Sequence, residues 1–543
     1  MWDTRRAAKA DRIRAGAAHS DGKLIRPSEL TDFFHAVLRP ADRVALEGDN
    51  QKQADFLSRT LAECDPTRIH GLHMLIPSVS RPEHLDLFER GIAGRLDLCY
   101  AGPQSVRIAQ LVEDGTVHIG DIHTYVELYA RMFVDLIPDV ALLCASAADE
   151  HGNLYTGPNT EDTPTIAEAA AFRDGIVIVQ ADEIVATDSL ARVDIPADWV
   201  DFVVQADRPF FLEPLFTRDP RHIGDVEILT AMIALRGVYE RHEVVSLNHG
   251  VGFDTAAIEL IIPTYGERLG LKGRIAKHWV LNPHPTLIPA IESGWVESVH
   301  SFGGESGMND YVAARPDVFF TGADGSLRSN RALAQLAGQY AIDMFIGSSL
   351  QIDRDGNSST VTDGRISGFG GAPNMGHDPH GRRHASPAWL NLAHGEGSSR
   401  RGRKLVVQMV QTFRASGVPT FVEELDAVDV GQQAGLAMPP VMIYGDDVSH
   451  VVTEEGVAYL YKAHSLADRR AALAAIAGVT PIGRAADTKR TEALRRDGLV
   501  AFPQDLQVET RLANRSLLAA RSIADLVAWS GGLYEPPSQF RDW

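Results

Sequence analysis

Asp149-Glu-His-Gly-Asn153 and Asp353-Arg-Asp-Gly-Asn357 write one pattern, Asp-x-x-Gly-Asn, twice, each time after an apolar run (Leu142-Leu-Cys144 and Met344-Phe-Ile346). Upstream, Val44-Ala-Leu-Glu-Gly48 is echoed by Val244-Val-Ser-Leu-Asn-His-Gly250. The interval from Gly48 to Gly152 nearly equals that from Gly250 to Gly356. Downstream, Gly175-Ile-Val-Ile-Val-Gln180 returns as Lys404-Leu-Val-Val-Gln408. So long a repeat lies far outside the roughly 20–50-residue periods of solenoids. It predicts a duplicated domain, and a cleft between two such domains is a favoured ligand site.

Between the echoes, short apolar runs alternate with amphipathic ones. Ile69–Ile76, Val140–Cys144 and Ile176–Val179 suit buried parallel strands, and Ala54–Glu63 and Tyr125–Phe133 suit helices. The second half follows the same alternation, with strands at Val244–Leu247, Val318–Phe320, Met344–Ile346 and Val406–Val410, and a helix near Thr255–Ile262. The predicted fold is α/β, two similar α/β domains with a C-terminal extension. A helix over Gly224–Val238 leads into the second unit, which divides the chain into 1–227 and 228–543. From about residue 465, starting with the alanine-rich helix Leu466–Ala477, the chain is expected to form a surface-hugging or subunit-contacting tail.

Composition narrows the function. Of 543 residues, 52 are basic and 72 acidic, a net charge of −20, which argues against a binder of the phosphate backbone. No apolar stretch is long enough to span a bilayer, and Met1-Trp-Asp-Thr-Arg-Arg6 lacks a signal-peptide core, so a cytoplasmic protein is expected. Cys64, Cys99 and Cys144 form no Cys-x-x-Cys pair and are expected as reduced core thiols. The basic run Ser398–Lys404 is expected as a solvated loop; its sharper reading is a patch that docks an acidic carrier or a phosphate.

Glycine turns carry the candidate chemistry. Between matched points the second half is longer by about two dozen residues, and the added stretch holds Gly368-Phe-Gly370-Gly371-Ala372 followed by Asn374. With side chains removed, the N–H groups of Gly370 and Gly371 can converge on an oxyanion. A second turn, Gly303-Gly304-Glu305, offers a carboxylate that can act as nucleophile or base, or simply be solvated. A third, Asn248-His-Gly250-Val-Gly252, stands where an anion can meet a helix N-terminus. In the first half Asn159-Thr-Glu-Asp162 suits a helix cap and can also line the cleft. His377, Asp378, His380 and His384 invite a metal, but Pro379 and Gly381 disfavour the helix that would present the histidines together, and no metal site is predicted. Gly-x-Ser-x-Gly, P-loop and His-Glu-x-x-His motifs are missing, which removes support for a serine hydrolase, a nucleotide triphosphatase and a zincin.

The ordered set Asn248–Gly252, the turn at 303–307, Asp353–Asn357 and Gly368–Ala372 resembles class I coenzyme A transferases. Nearly the whole chain is similar to the malonate decarboxylase alpha-subunit family, most closely in Gly152–Thr163, Ala256–Gly266 and Val452–Ala458. That resemblance implies two transferase-like α/β domains, with the active site mainly in the second. It implies exchange of acetate for malonate on the thioester of an acyl carrier protein, whose thiol belongs to a phosphoribosyl-dephospho-coenzyme A group with coenzyme A as its analogue. Beta and gamma decarboxylase subunits are the implied further partners. Class I transferases carry a glutamate at the end of the strand before the second turn, whereas this chain reads Val299-His-Ser-Phe-Gly303-Gly304, with Glu305 late and Glu297 early. Both a glutamyl thioester and direct attack through a mixed anhydride therefore stay open, as does the choice of Arg365 or Arg382 for the distal malonate carboxylate. The rivals are a coenzyme A transferase or thioesterase acting on small acids without a carrier, and a docking scaffold for the carrier and decarboxylase subunits.

Overall fold

The computed structural model describes residues 2–49, 51–213, 218–327, 329–377 and 404–540. In the first half, β1 (Arg43–Leu46), β2 (Leu72–Ser78), β3 (Ala93–Tyr100), β4 (His118–Ile122), β5 (Val140–Asp149), β6 (Ile176–Val185) and β7 (Phe202–Gln205) form a parallel sheet in the order β7-β6-β5-β1-β2-β3-β4. A short hairpin, Ser20–Asp21 with Leu24–Ile25, extends it beyond β7. In the second half, β8 (Ser246–His249), β9 (His278–Val280), β10 (Ser298–His300), β11 (Met344–Gly347), β12 (Leu405–Met409) and β13 (His450–Thr453) run parallel in the order β13-β12-β11-β8-β9-β10. Strand for strand this is the first sheet's order without a partner for β4. Two antiparallel strands, β14 (Gly456–Tyr459) and β15 (Val500–Ala501), close its far edge.

Both sheets are buried on both faces, as continuous apolar strands require. Val44, Leu46, Ile176 and Ile178 pack to one side of the first sheet, while Ala45, Val177 and Val179 pack to the other. In the second sheet Met344 and Ile346 face one core and Phe345 the opposite one. Helices α1 (Asp55–Ala62), α2 (Tyr125–Val134), α3 (Thr163–Phe172), α4 (Asp225–Ala234), α5 (Phe253–Ile261), α6 (Arg331–Tyr340) and α7 (Asp426–Gln433) flank the sheets. The halves interlock: Val361, Ile366, Leu425 and Ala427, all from the second half, belong to a first-half core.

Three expectations need correction. Val318–Phe320 makes only a single bridge, Val299 to Phe319, and Phe320 is exposed. The C-terminal segment is more than a tail on the surface: Val500 and Ala501 add a strand to the sheet, and Leu517, Ile523, Leu526 and Tyr534 are buried in the second core. Lys404, counted in the basic run, is buried and donates to the Gly338 and Gln339 carbonyls at the start of β12. Residues 398–403, Asp378, His380, Arg382 and His384 lie outside the described residues. All three cysteines are buried free thiols.

Candidate functional site

The strand ends after each Asp-x-x-Gly-Asn turn build the site. Asp149 accepts the N–H groups of His151 (3.0 Å) and Asn153 (2.8 Å), and the Asn153 amide donates to its other oxygen at 2.8 Å. Asp353 repeats this with Asp355 (2.9 Å), Asn357 (3.0 Å) and the Asn357 amide (2.8 Å). Gly152 and Gly356 stand at φ of 91° and 90°, where a side chain would be strained. The segment leaving each turn crosses to the other half and settles at the end of that half's third strand, β10 or β3.

From the first half comes Asn159–Asp162. Glu161 is fully buried and sits at φ 45°, an unusual conformation for a residue with a side chain. Its Oε1 accepts the Gly304 N–H at 2.8 Å, beyond the end of β10. A Cβ on Gly303 would collide with the Glu161 carboxylate, and one on Gly304 with the Asn159 amide. The glycine doublet is thus the surface that admits the first half's polar groups. Asp162 accepts the Tyr129 hydroxyl at 2.6 Å and does not cap α3 with its side chain, so the capping expectation fails there. From α6 in the second half, Arg331 reaches back to Glu161 (2.8 Å), Asp162 (2.8 Å) and Asp49.

From the second half comes Ser367–Gly371. The Ala101 N–H donates to the Ser367 carbonyl at 2.8 Å, and the Phe369 and Gly370 N–H groups both donate to the Cys99 carbonyl, at 2.7 and 2.9 Å. Gly368, at φ 69°, lies so close to the Cys99 carbonyl that no Cβ fits. The expectation that Gly370 donates to an oxyanion together with Gly371 is corrected here, because the Cys99 carbonyl occupies the Gly370 N–H. The Gly371 N–H has no acceptor among the described residues, and a Cβ there would strike the Gln335 amide on α6. The Tyr125 N–H donates to the Gly370 carbonyl at 3.3 Å, and its ring lies under the Arg331 guanidinium, 4.8 Å from the centroid. Tyr125 therefore joins the glycine loop to the charged cluster.

The cluster holds three acidic side chains against one guanidinium in a water-poor site. Burial, reinforced by Asp49 and opposed by Arg331, pushes the Glu161 carboxyl far above its ordinary range, and Asp162 moves the same way for the same reasons. Both shifts favour the protonated forms of Glu161 and Asp162 beside the Arg331 guanidinium.

The remaining expected residues take distinct places. Asn248 donates its Nδ2 to the Val280 carbonyl at 2.5 Å, leaving its buried Oδ1 without a partner. The Gly250 N–H is occupied by the Ile346 carbonyl at 2.7 Å, while Gly252 is extended and needs no glycine for its backbone. Glu305 is not a solvated turn residue: it is buried, beside Tyr534. Arg365 is exposed. Ala372 opens the short helix Ala372–Met375, and Asn374, with a buried unpartnered Nδ2, faces a cavity of about 430 Å³ between the halves, lined also by Thr124, Glu127, Phe369 and Met442.

Sequence reasoning missed Arg331, Asp49 and Tyr125, and read Glu161 and Asp162 mainly as a cap. The available signal was complementary: adjacent acids in one half and a side-chain-free Gly303-Gly304 in the other. Asp121, His123 and Glu127 also bring ligand atoms within 4.8 Å of one another. Burial opposes charge on His123, but Asp97 (2.7 Å) and Glu127 outweigh it and push its pKa up to about 9, which favours an ion pair over a metal ligand.

The whole chain, residues 1–543, matches the family described as malonate decarboxylase, alpha subunit, transporter. It is 54% identical to the acetyl-S-ACP:malonate ACP transferase of Malonomonas rubra, over 100% of this chain and 99% of that one. A chain in the crystal structure of a Pseudomonas malonate decarboxylase hetero-tetramer in complex with malonate superposes with a TM-score of 0.98 at 64% identity, covering 100% and 99%. The malonate decarboxylase alpha subunit of Acinetobacter baumannii gives 0.96 at 61%, covering 99% and 100%.

Proposed function

Since this chain belongs to the malonate decarboxylase alpha-subunit family, we propose that it exchanges acetate for malonate on the thioester of an acyl carrier protein. The observation that carries this reading is the unbroken similarity, over both full lengths, to a transferase named for that reaction. The site's chemistry agrees with it: a cleft lined by bare backbone, a retained proton and a buried guanidinium suits acyl transfer between carboxylates and a thiol. The matching strand orders and turns support an internal duplication of a class I coenzyme A transferase-like domain, divided near 227/228.

In the direct route, a malonate carboxylate oxygen attacks the acetyl thioester carbon and the carrier thiolate leaves, giving a mixed anhydride. The thiolate then attacks the malonyl carbonyl and acetate leaves, so atoms and charge balance. The Gly371 N–H is the donor available to the tetrahedral oxyanions, and holding both partners in one cleft supplies an effective-concentration advantage. Glu305 is the candidate if an enzyme-bound acyl group intervenes. The carrier's phosphoribosyl-dephospho-coenzyme A group supplies the thiol; Asn374 and the cavity beside Phe369 fit an arm that mixes amides with methylenes. The carrier and the beta and gamma decarboxylase subunits are the proposed partners, in the cytoplasm. Among the described residues, no helix is long and apolar enough to cross a membrane.

The test is incubation with acetyl-S-carrier and labelled malonate. Labelled malonyl-S-carrier with stoichiometric acetate is expected. Transfer only to free coenzyme A, acetate release without a new thioester, or no exchange would each overturn the reading in favour of one rival. Hydroxylamine trapping of the acylated protein separates the routes: label on Glu305 establishes the covalent one.

A further inference from the structure

With the Gly370 N–H given to the Cys99 carbonyl, Gly371 brings a single backbone donor to the cleft. An oxyanion in a water-poor site is stabilised by fixed donors aimed at it, and further donors add to that stabilisation. The fold sets one side-chain amide against Gly371. Gln335, on α6, is 2% exposed, and a Cβ on Gly371 would strike both its Oε1 and its Nε2. Neither end of that amide has a hydrogen-bond partner among the described residues. A buried amide left unpaired costs stability and is uncommon, so its place calls for a partner that the chain itself does not supply.

The helix that carries Gln335 is held at both ends. Asn330 caps its first turn by accepting the Leu333 N–H at 3.0 Å, and Arg331 binds the first half's carboxylates. At the other end the Lys404 ammonium donates to the Gly338 and Gln339 carbonyls, and Gly338 lies so close to Met375 that a Cβ would crowd it. Arg331, Gln335 and Gln339 are spaced four residues apart, so they share one face of α6 and follow each other at about 6 Å along its axis. Arg331 meets Glu161 and Asp162, Gln335 meets Gly371, and Gln339 lines the cavity with Asn374 and Phe369. An arm lying in that cavity brings its thioester carbonyl to the middle of this row, beside Gly371 and Gln335.

We propose that Gln335 is a catalytic residue, whose Nε2 donates together with the Gly371 N–H to the oxyanion formed on the thioester carbonyl. This rests on the transferase reading above. When a carboxylate oxygen adds to the thioester carbon, the carbonyl π pair moves onto oxygen, where the two donors hold it. The pair returns to remake the carbonyl as the carrier thiolate leaves, and the amide gains and loses no proton. A neutral amide suits the task because it donates without titrating and forms no bond to the acyl group. It serves the direct route and a route through Glu305 alike.

The experiment compares the full-length protein with Gln335→Met and Gln335→Glu, using acetyl-S-carrier and labelled malonate. Methionine keeps the length of the side chain and removes the donor. For Gln335→Met, kcat is expected to fall about 10²–10³-fold, while the KM values for carrier and malonate stay within about threefold. Gln335→Glu separates a donor from a space-filler. Its carboxylate repels an oxyanion and its acid form donates to one, so its rate relative to wild type should rise as the pH is lowered from about 8 to about 5. A Gln335→Met enzyme within a few-fold of wild type, a loss confined to KM, or a Gln335→Glu deficit that ignores pH would overturn the proposal. A wild-type protein that exchanges neither acid would instead defeat the transferase reading. Trifluoroacetonyl-coenzyme A, whose hydrated ketone presents a tetrahedral oxygen, then decides the Gln335 question separately. The wild type should bind it about tenfold or more tighter than coenzyme A, and Gln335→Met should lose that preference. Equal affinities in the wild type, or a preference that the variant keeps, would sink the assignment. If Gln335→Met does not fold, Gln335→Glu carries the pH and binding comparisons.

Discussion

The loops that leave the two Asp-x-x-Gly-Asn turns share a starting geometry and end in opposite chemistry. Asn159–Asp162 brings side chains to the other half: an amide and two carboxylates, received by glycines. Ser367–Gly371 brings backbone and almost nothing else, received by the Cys99 carbonyl and the Tyr125 ring. One half therefore supplies charge and the other supplies close approach. Neither loop forms the cleft alone, and Arg331 with Tyr125 is the physical link between them. This division explains why two halves of like strand order need not be interchangeable: the turns match, whereas the segments that leave them differ.

The largest break in this arrangement should come from removing the link. Arg331→Met leaves three buried acids without their cation, and losing one partner of a buried ionic group costs about 3–5 kcal/mol. Denaturant unfolding should show that loss, and adding Glu161→Gln should recover part of it. A double variant no better than the single one would mean that the cluster is not energetically coupled.

Next is the backbone side. Gly368→Val must abandon φ 69° and move away from the Cys99 carbonyl. The displaced loop carries Gly371 with it, and losing one oxyanion donor typically lowers turnover about 10²–10³-fold. Gly303→Val attacks the same cleft from the other loop, through Glu161. If exchange survives either change within a few-fold, the reciprocal contact is not needed for transfer.

A pH titration sharpens the charged side. The unfolded Glu161 carboxyl loses its proton in the ordinary carboxylate range, whereas the folded one keeps it until about 8. Between those limits the native state binds more protons than the unfolded state, so this group's contribution to stability falls as pH rises. Glu161→Gln cannot titrate. Its stability should decline less than the wild type's between pH 5 and 8, as read from unfolding curves across that window. Parallel declines would show that the retained proton belongs to another group.

The repeat, the alternation of strands and helices and the glycine turns were all legible in the sequence, because each is a local property. Asp149 and Asp353 satisfy their turns with residues four or fewer positions away, so five letters suffice to find them. Arg331 was not legible, since its meaning depends on Asp49, Glu161 and Asp162 arriving from the other half of the chain. The same holds for Gly370: sequence shows that its N–H is uncovered by a side chain, yet only the fold reveals that the Cys99 carbonyl accepts it. Glu305 is buried and its carboxylate acts on the Tyr534 hydroxyl, more than two hundred residues later, which a turn-like local sequence could not announce.

The smallest effect expected is a difference between two variants. Asn153 and Asn357 each donate to their turn's aspartate at 2.8 Å, and each accepts one remote backbone N–H, from Ala197 at 3.0 Å and from Gly445 at 2.9 Å. Replacing either by alanine removes the same two bonds, so each should cost about 1–2 kcal/mol in chemical denaturation. The two losses should agree within about 0.5 kcal/mol, and the double variant should show their sum, because the turns share no partner. If Asn357→Ala were the costlier by a clear margin, the glycine loop beyond it would be drawing rigidity from its turn. The carboxylate loop would then depend on Arg331 instead, and the two halves would differ in what anchors them as well as in what they deliver.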